Sequence, residues 1–164
     1  MRESFALLSM IVLTSVALAE PQDNQTVTVG PWSIATNYKT DKFENCKMSR
    51  SAGELGVTFL RAVLLDSPKW KLNRGKTYPV RLVAGSRSVE AQAQAEAKSV
   101  TIALEDAQLN SKLRIASVLE VRGDGATLRV PLDGSAAAFE RLETCFGKRE
   151  TAETNPFVAP SRKP

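Results

Sequence analysis

Catalysis by acyl transfer, by zinc or by an imidazole base needs particular side chains, and this 164-residue chain contains no histidine. That absence removes serine- and cysteine-type triads, imidazole general bases and most zinc sites together. There is no Gly-x-Ser-x-Gly elbow, and no Lys stands three residues after a Ser, so the Ser-x-x-Lys dyad is missing too. Gly123-x-Gly125 lacks the third glycine of a dinucleotide loop. Carboxylates remain: Glu105-Asp106 are adjacent, and Glu140 and Glu143 fall on one side of a predicted helix. A carboxylate-based hydrolase is the enzyme reading they allow, but nothing around them implies the perturbed environment such acids require. The expectation is no enzymatic activity, no metal-ligating residue and no cofactor.

Binding chemistry is easier to locate. Lys69-Trp70-Lys71-Leu72-Asn73-Arg74-Gly75-Lys76 sets four cations around a Trp within eight residues. Lys69, Trp70, Lys71, Arg74 and Lys76 are therefore the candidate contact with an anionic envelope polymer or an acidic protein face. The alternation also fits a strand that turns Trp70 and Leu72 into the core and the cations to water, and this second reading is the better match to the pattern.

The first 19 residues set the address. Arg2 precedes the apolar run Phe5 to Val16, and Ala17-Leu18-Ala19 supplies a small-x-small cleavage site before Glu20. This is the layout of a secretory signal peptide, with an apolar stretch shorter than the roughly 20 residues of a membrane span. The chain is expected in the periplasm, or secreted, with no transmembrane segment after cleavage. Its net charge of +4 is too mild to imply nucleic-acid binding, and export argues against that partner. In an oxidising compartment the only two cysteines, Cys46 and Cys145, are expected to form one disulfide.

The elements that must position these residues are mostly strands. The sequence reads as a flexible lead-in over 20–30, one β-rich domain over 31–147 and a disordered tail over 148–164. Within the domain, Trp32 to Tyr38 is a first strand. Cys46 to Arg50 and Gly56 to Ala62 form a hairpin extended by Val63-Leu64-Leu65. Tyr78 to Val83 follows, with Pro79 marking an edge or a strand start. Val89 to Ala97 alternates strictly and reads as a strand with one wet face, despite a helix-favouring Ala and Glu content. Ser99 to Leu104 is a further strand, and 106–116 is a short helix. Alternation on both sides of Gly123-Asp124-Gly125 predicts a hairpin over 117–132. Asp133-Gly134-Ser135 is placed to cap a helix from Ala136 to Phe146, which turns Ala138, Leu142 and Cys145 inward and stops at Gly147. The fold class is α+β: a mainly antiparallel sheet or sandwich with a C-terminal helix packed on it.

From Arg81 onward the chain resembles the invasion-associated locus B family of exported alphaproteobacterial proteins. The resemblance rests on Val118-Leu119-Glu120-Val121 and on Val130-Pro131-Leu132-Asp133-Gly134-Ser135-Ala136-Ala137-Ala138-Phe139-Glu140-Arg141-Leu142. It is also similar to exported proteins of soil and root-nodule alphaproteobacteria. Ser135 stands where the family tends to carry an aromatic residue, and the family's central cysteine pair is replaced by cysteines near the two ends. The resemblance implies the hairpin-then-helix ending; the family is linked to host-cell invasion in some pathogens, without a settled molecular activity. The residues themselves read as a non-enzymatic envelope module that binds an unknown protein or anionic partner. A purely structural envelope component is the further alternative.

Overall fold

The computed structural model describes residues 24–40 and 42–152, so the signal segment over 1–19 and residues 153–164 lie outside the described residues. Among the described residues, ten strands and two helices follow in the order β1 (Gln25–Val29), β2 (Trp32–Lys39), β3 (Lys42–Ala52), β4 (Leu55–Phe59), β5 (Ala62–Asp66), β6 (Thr77–Ala84), β7 (Arg87–Ala95), β8 (Ser99–Ala103), α1 (Ala107–Leu113), β9 (Val118–Arg122), β10 (Thr127–Pro131) and α2 (Ser135–Ala152). All strands belong to one antiparallel sheet with the order β1-β2-β3-β4-β5-β8-β7-β6-β9-β10. The expected class, a mainly antiparallel sheet with a C-terminal helix on it, is the observed one.

Alternation drives the build. Along β7, Glu90, Gln92 and Gln94 face water while Ala93 and Ala95 are buried, so period-two patterning overrides the helix preference of its alanines. The same rule sends Cys46 and Met48 of β3, Val57 and Phe59 of β4, and Val63 and Leu65 of β5 into one core. That single cluster also takes Leu82 from β6, Ile102 from β8, Leu119 from β9, Val130 from β10 and Leu109 and Ala138 from the helices. A single sheet can feed one interior this way only by curling. The curl brings β2 and β3 against the far end of the strand order: the Trp32 indole N–H donates to Asp133 O at 2.8 Å, and Arg50 Nη1 donates to Pro131 O at 3.0 Å and to Asp133 Oδ1 at 2.8 Å. The Arg50 side chain, only 11% exposed, lies over the Trp32 ring at 5.1 Å.

Several expected boundaries move. Residues 25–29 are not a loose lead-in but β1, paired with β2 in register from Gln25↔Thr36 to Val29↔Trp32; a Thr-Val-Thr-Val run has high strand propensity. Residues 63–65 do not extend β4. The chain reverses at Leu60-Arg61, and β5 pairs back on β4 with Val57 opposite Leu65, which keeps Val63 and Leu65 on the buried face. β6 is internal rather than an edge, between β7 and β9, yet Pro79 lies outside the Arg81–Ala84 stretch that meets β9, so no β9 rung needs its missing N–H.

The terminal helix also differs. Ser135 is its buried first residue rather than its cap, and its hydroxyl donates to Leu113 O at 2.8 Å, satisfying a carbonyl at the end of α1. The helix runs through Gly147 to Ala152, because a glycine weakens a helix by about 1 kcal/mol without forcing its end. The first residues of the expected tail are thus helical. Ala138, Leu142 and Cys145 do face inward, and α2 packs on β2 and β3.

Cys145 meets Cys46 of β3 in a disulfide, with Cα atoms 6.1 Å apart and a sequence separation of 99. Cross-linking a loop of about 100 residues stabilises by about 4 to 5 kcal/mol in the chain-entropy model. The unreduced protein should therefore be two hydrogens lighter than the reduced one by mass spectrometry. Cys46→Ser with Cys145→Ser should lower the free energy of unfolding by several kcal/mol in denaturant titration; two free thiols in the exported protein would contradict the assignment.

Three carboxylates are held below their ordinary values of 3.8 for Asp and 4.5 for Glu. Asp133 is lowered by the hydrogen bond from Arg50. Asp106 is lowered by Arg87 and then by the Leu109 N–H. Glu120 is lowered chiefly by Arg122, with Arg129 adding to it. A lowered folded-state pKa contributes stability above the ordinary carboxylate range, and that contribution is lost as pH falls through the folded value. Melting temperature followed by circular dichroism should be flat near neutrality and decline once pH drops below about 4. Asp133→Asn should reduce the steepness of that decline; an unchanged slope would mean that the Arg50 pair carries none of it.

Candidate functional site

The cation-rich segment is a loop and not a strand, and backbone hydrogen bonds fix it along the end of β7. The Ser67 N–H donates to Lys98 O at 3.0 Å, Leu72 N–H to Ala97 O at 3.0 Å and Gly75 N–H to Ala95 O at 2.8 Å, while Ala95 N–H returns to Lys76 O at 2.8 Å. Gly75 sits at φ 80°, a left-handed conformation that favours glycine. Lys98 Nζ adds a bond to Pro68 O at 3.0 Å.

This anchoring settles the position of Trp70. Trp70 and Leu72 are half-buried and pack against the edge of the core, although no strand alternation places them there. They form one wall of a groove of about 330 Å³. Tyr78 and Pro79 of β6 and Leu128 of β10 form another part, and the 123–126 turn borders it. Its floor is Val80, Ala93, Val100 and Val121, all members of the core cluster. The groove is thus the uncovered mouth of the curled sheet: α1 packs on β6 and β7, and α2 on β2 and β3.

The four cations divide into two pairs. Lys69 Nζ lies 2.6 Å from Glu54 Oε2, and Arg74 Nε lies 2.7 Å from Glu96 Oε2. Lys71 and Lys76 are exposed and have no carboxylate partner among the described residues. Lys71 stands between the two wall residues, and Lys76 Nζ lies 5.2 Å from the centre of the Tyr78 ring. Of these two cations, Lys76 adjoins the groove through the Tyr78 ring, and the one charged residue in the groove's own lining is Asp124. Tyr78, Val121 and Leu128 were not legible as site residues. The hairpin alternation turned Leu128 inward correctly, but which inward residues escape a covering helix is not written in the pattern.

The sequence-identified acids are engaged elsewhere. Asp106 caps α1, accepting from the Leu109 N–H at 2.6 Å, and forms an ion pair with Arg87. Glu105 and Asp106 line a second hollow of about 550 Å³ together with Glu90, but Glu90 is paired with Arg81. Glu143 is paired with Arg114, and Glu140 is exposed on the same helix. No cluster of three or more metal-ligating side chains occurs among the described residues, and no helix there is long and apolar enough to cross a membrane.

Trp70→Ala removes a half-buried ring whose other face meets the groove. The loss should be about 1 to 3 kcal/mol in chemical denaturation, below the 3 to 5 typical of a fully buried aromatic. A loss at or above that range would place Trp70 in the closed core, and no loss would make it a free surface side chain.

The sequence matches no protein-family profile and no curated protein. In fold, the chain is similar to the crystal structure of invasion associated protein B from Bartonella henselae, with a TM-score of 0.58 and 23% identity over 76% of this chain and 98% of that one. This places the curled antiparallel sheet and its helices in an architecture already seen in a bacterial protein.

Proposed function

We propose that the protein is an exported, periplasmic binding module of the cell envelope, similar to the invasion-associated locus B proteins, and that it acts without catalysis. The observation that carries this reading is the apolar groove at the mouth of the sheet, walled by Trp70, Leu72 and Tyr78, with Lys76 over the Tyr78 ring and Lys71 exposed on the same loop. An apolar cleft on a cation-bearing loop favours a partner that combines an apolar part with negative charge. The periplasmic setting is supported by the Arg2 to Ala19 pattern and by a disulfide that needs an oxidising compartment. The non-catalytic part is supported by the acids: Asp106 is held ionised by Arg87 and the Leu109 N–H, the opposite of what a general acid needs. The fold similarity to the Bartonella henselae protein supports the envelope class.

The test is retention of material from a periplasmic extract on the immobilised protein at low salt. Lys71→Glu with Lys76→Glu should reduce retention several-fold and remove its salt dependence, because each exposed charge contributes about 0 to 1 kcal/mol and is screened by salt. Arg74→Glu alone should matter less, since Arg74 is already paired with Glu96. Equal retention by the double variant and the parent would exclude this groove as the contact.

A further inference from the structure

We propose that the outer edge of β1 is a pairing site for a second copy of this chain, joined antiparallel and in register about Val27. This does not rest on the groove, whose lining contains no β1 residue.

The two edges of the sheet are built differently. β1 and β10 end the strand order, so each pairs on one side only among the described residues. A strand edge with free N–H and C=O groups is a template for a further strand, and proteins blunt such edges with proline, charge or a bulge. β10 is blunted. The Leu132 N–H donates to Ser117 O, and with Val130 opposite Leu119 this turns the even-numbered residues of β10 toward β9. Thr127, Arg129 and Pro131 therefore carry the outward backbone groups. Pro131 has no N–H, its carbonyl is taken by Arg50 Nη1 at 3.0 Å, and Arg129 adds a charge. β1, with the sequence Gln-Thr-Val-Thr-Val, has no proline, no charge and no break in its register. Gln25 to Thr28 are all exposed, Val27 at 40%.

The register also shows which groups of β1 are free. Ala52 and Leu55 flank the two-residue turn Gly53-Glu54, so β3 points its even-numbered backbone groups at β4 and its odd-numbered ones at β2. Ser33 and Ala35, opposite Ser49 and Lys47, thus bond to β3. Trp32 and Ile34 bond to Val29 and Val27 of β1. The N–H and C=O of Thr26 and Thr28 are left facing outward.

These groups match themselves. Twofold pairing about Val27 sets Thr26 opposite the second copy's Thr28, and Thr28 opposite its Thr26. Both pairs then exchange two backbone hydrogen bonds, and no donor or acceptor between them is left over. Val27 meets the second copy's Val27 in the closer, non-hydrogen-bonded pair, on the side of the sheet that carries Trp32 and Ile34. Thr-Val-Thr reads alike in both directions, as an isologous contact requires. A strand bearing a charge at its centre would oppose like with like; β1 carries none. One strand pair buries less than the roughly 1,200 Å² at which stable interfaces begin, so the dimer forms with rising concentration rather than permanently.

The test is sedimentation of the full exported protein, disulfide intact, over a series reaching about 1 mM. A monomer–dimer equilibrium is expected. Thr28→Pro removes an outward N–H that β2 does not use, and should weaken the dimer by roughly tenfold or more at an unchanged melting temperature. Val27→Lys and Val27→Glu each place like charges opposite one another and should each weaken it at low salt, whereas an equimolar mixture of the two should restore a dimer. Val27→Cys should cross-link to itself under mild oxidation, because Cα atoms in a non-hydrogen-bonded pair lie about 4.5 Å apart. A monomer at every concentration would overturn the proposal, as would a dimer indifferent to Thr28→Pro or a charge-swapped mixture that stays monomeric. Open-ended assembly would replace the twofold contact with β1 of one copy on β10 of the next. A dimer that appears only after removal of residues 153–164 would also overturn it, by making the chain's own C-terminal segment the occupant of the edge.

Discussion

The curl of the sheet depends on a small set of contacts between its two ends. Trp32 begins β2 and donates its indole N–H to Asp133 O, in the link between β10 and α2. Arg50 on β3 reaches the same link through Pro131 O and the Asp133 carboxylate, and its guanidinium stacks on the Trp32 ring. A ten-stranded antiparallel sheet left open would expose one apolar face to water. Wrapping it lets residues from both halves of the strand order share an interior, and α2 covers the seam over β2 and β3. The Cys46–Cys145 disulfide then joins that helix to β3. Arg50 Nε is buried with no hydrogen-bond partner among the described residues. That desolvation cost is offset by the two bonds from Nη1 and by the cation–π contact, a balance typical of a buried charge that survives by being paired.

The groove follows from the same curl. The two helices pack on β2, β3, β6 and β7, and the loop over 67–76 borders a part of the inner face that remains open. Its hydrogen bonds to the 95–98 segment give a loop the positional accuracy of a strand, which is why two half-buried side chains form a stable wall. The ion pairs to Glu54 and Glu96 serve that placement. They hold the loop against the body of the protein while withdrawing Lys69 and Arg74 from the field that a ligand would meet. Lys71 and Lys76 are left to act outward.

The acids illustrate how position redirects chemistry. Glu105-Asp106 reads as a neighbouring carboxylate pair, yet Asp106 closes the first turn of α1 and is gripped by Arg87 from the start of β7. Glu120 sits between Arg122 and Arg129 on adjacent strands. These carboxylates stitch elements together at the surface, and each is stabilised in its charged form by a cation or an N–H supplied by another part of the chain.

Local order was legible from the sequence because it is written in local patterns. Alternation over 89–97 and around Gly123–Gly125 identified β7, observed two residues earlier over 87–95, and the β9–β10 hairpin; the absence of histidine removed whole classes of catalysis, and the inward face of α2 foretold the partner of Cys46. The misplaced boundaries share one cause. The pairing of β1 with β2, the reversal at Leu60-Arg61, the internal position of β6 and the engagement of Ser135 with Leu113 are all set by residues far away in sequence, which a window of local periodicity does not contain. The site divides along the same line. The sequence alone determined that Lys69 to Lys76 is cationic and carries a Trp. Only the tertiary structure decided which two cations are neutralised and that Trp70 borders an apolar groove, because both depend on what the curled sheet brings beside the loop and what the helices leave uncovered.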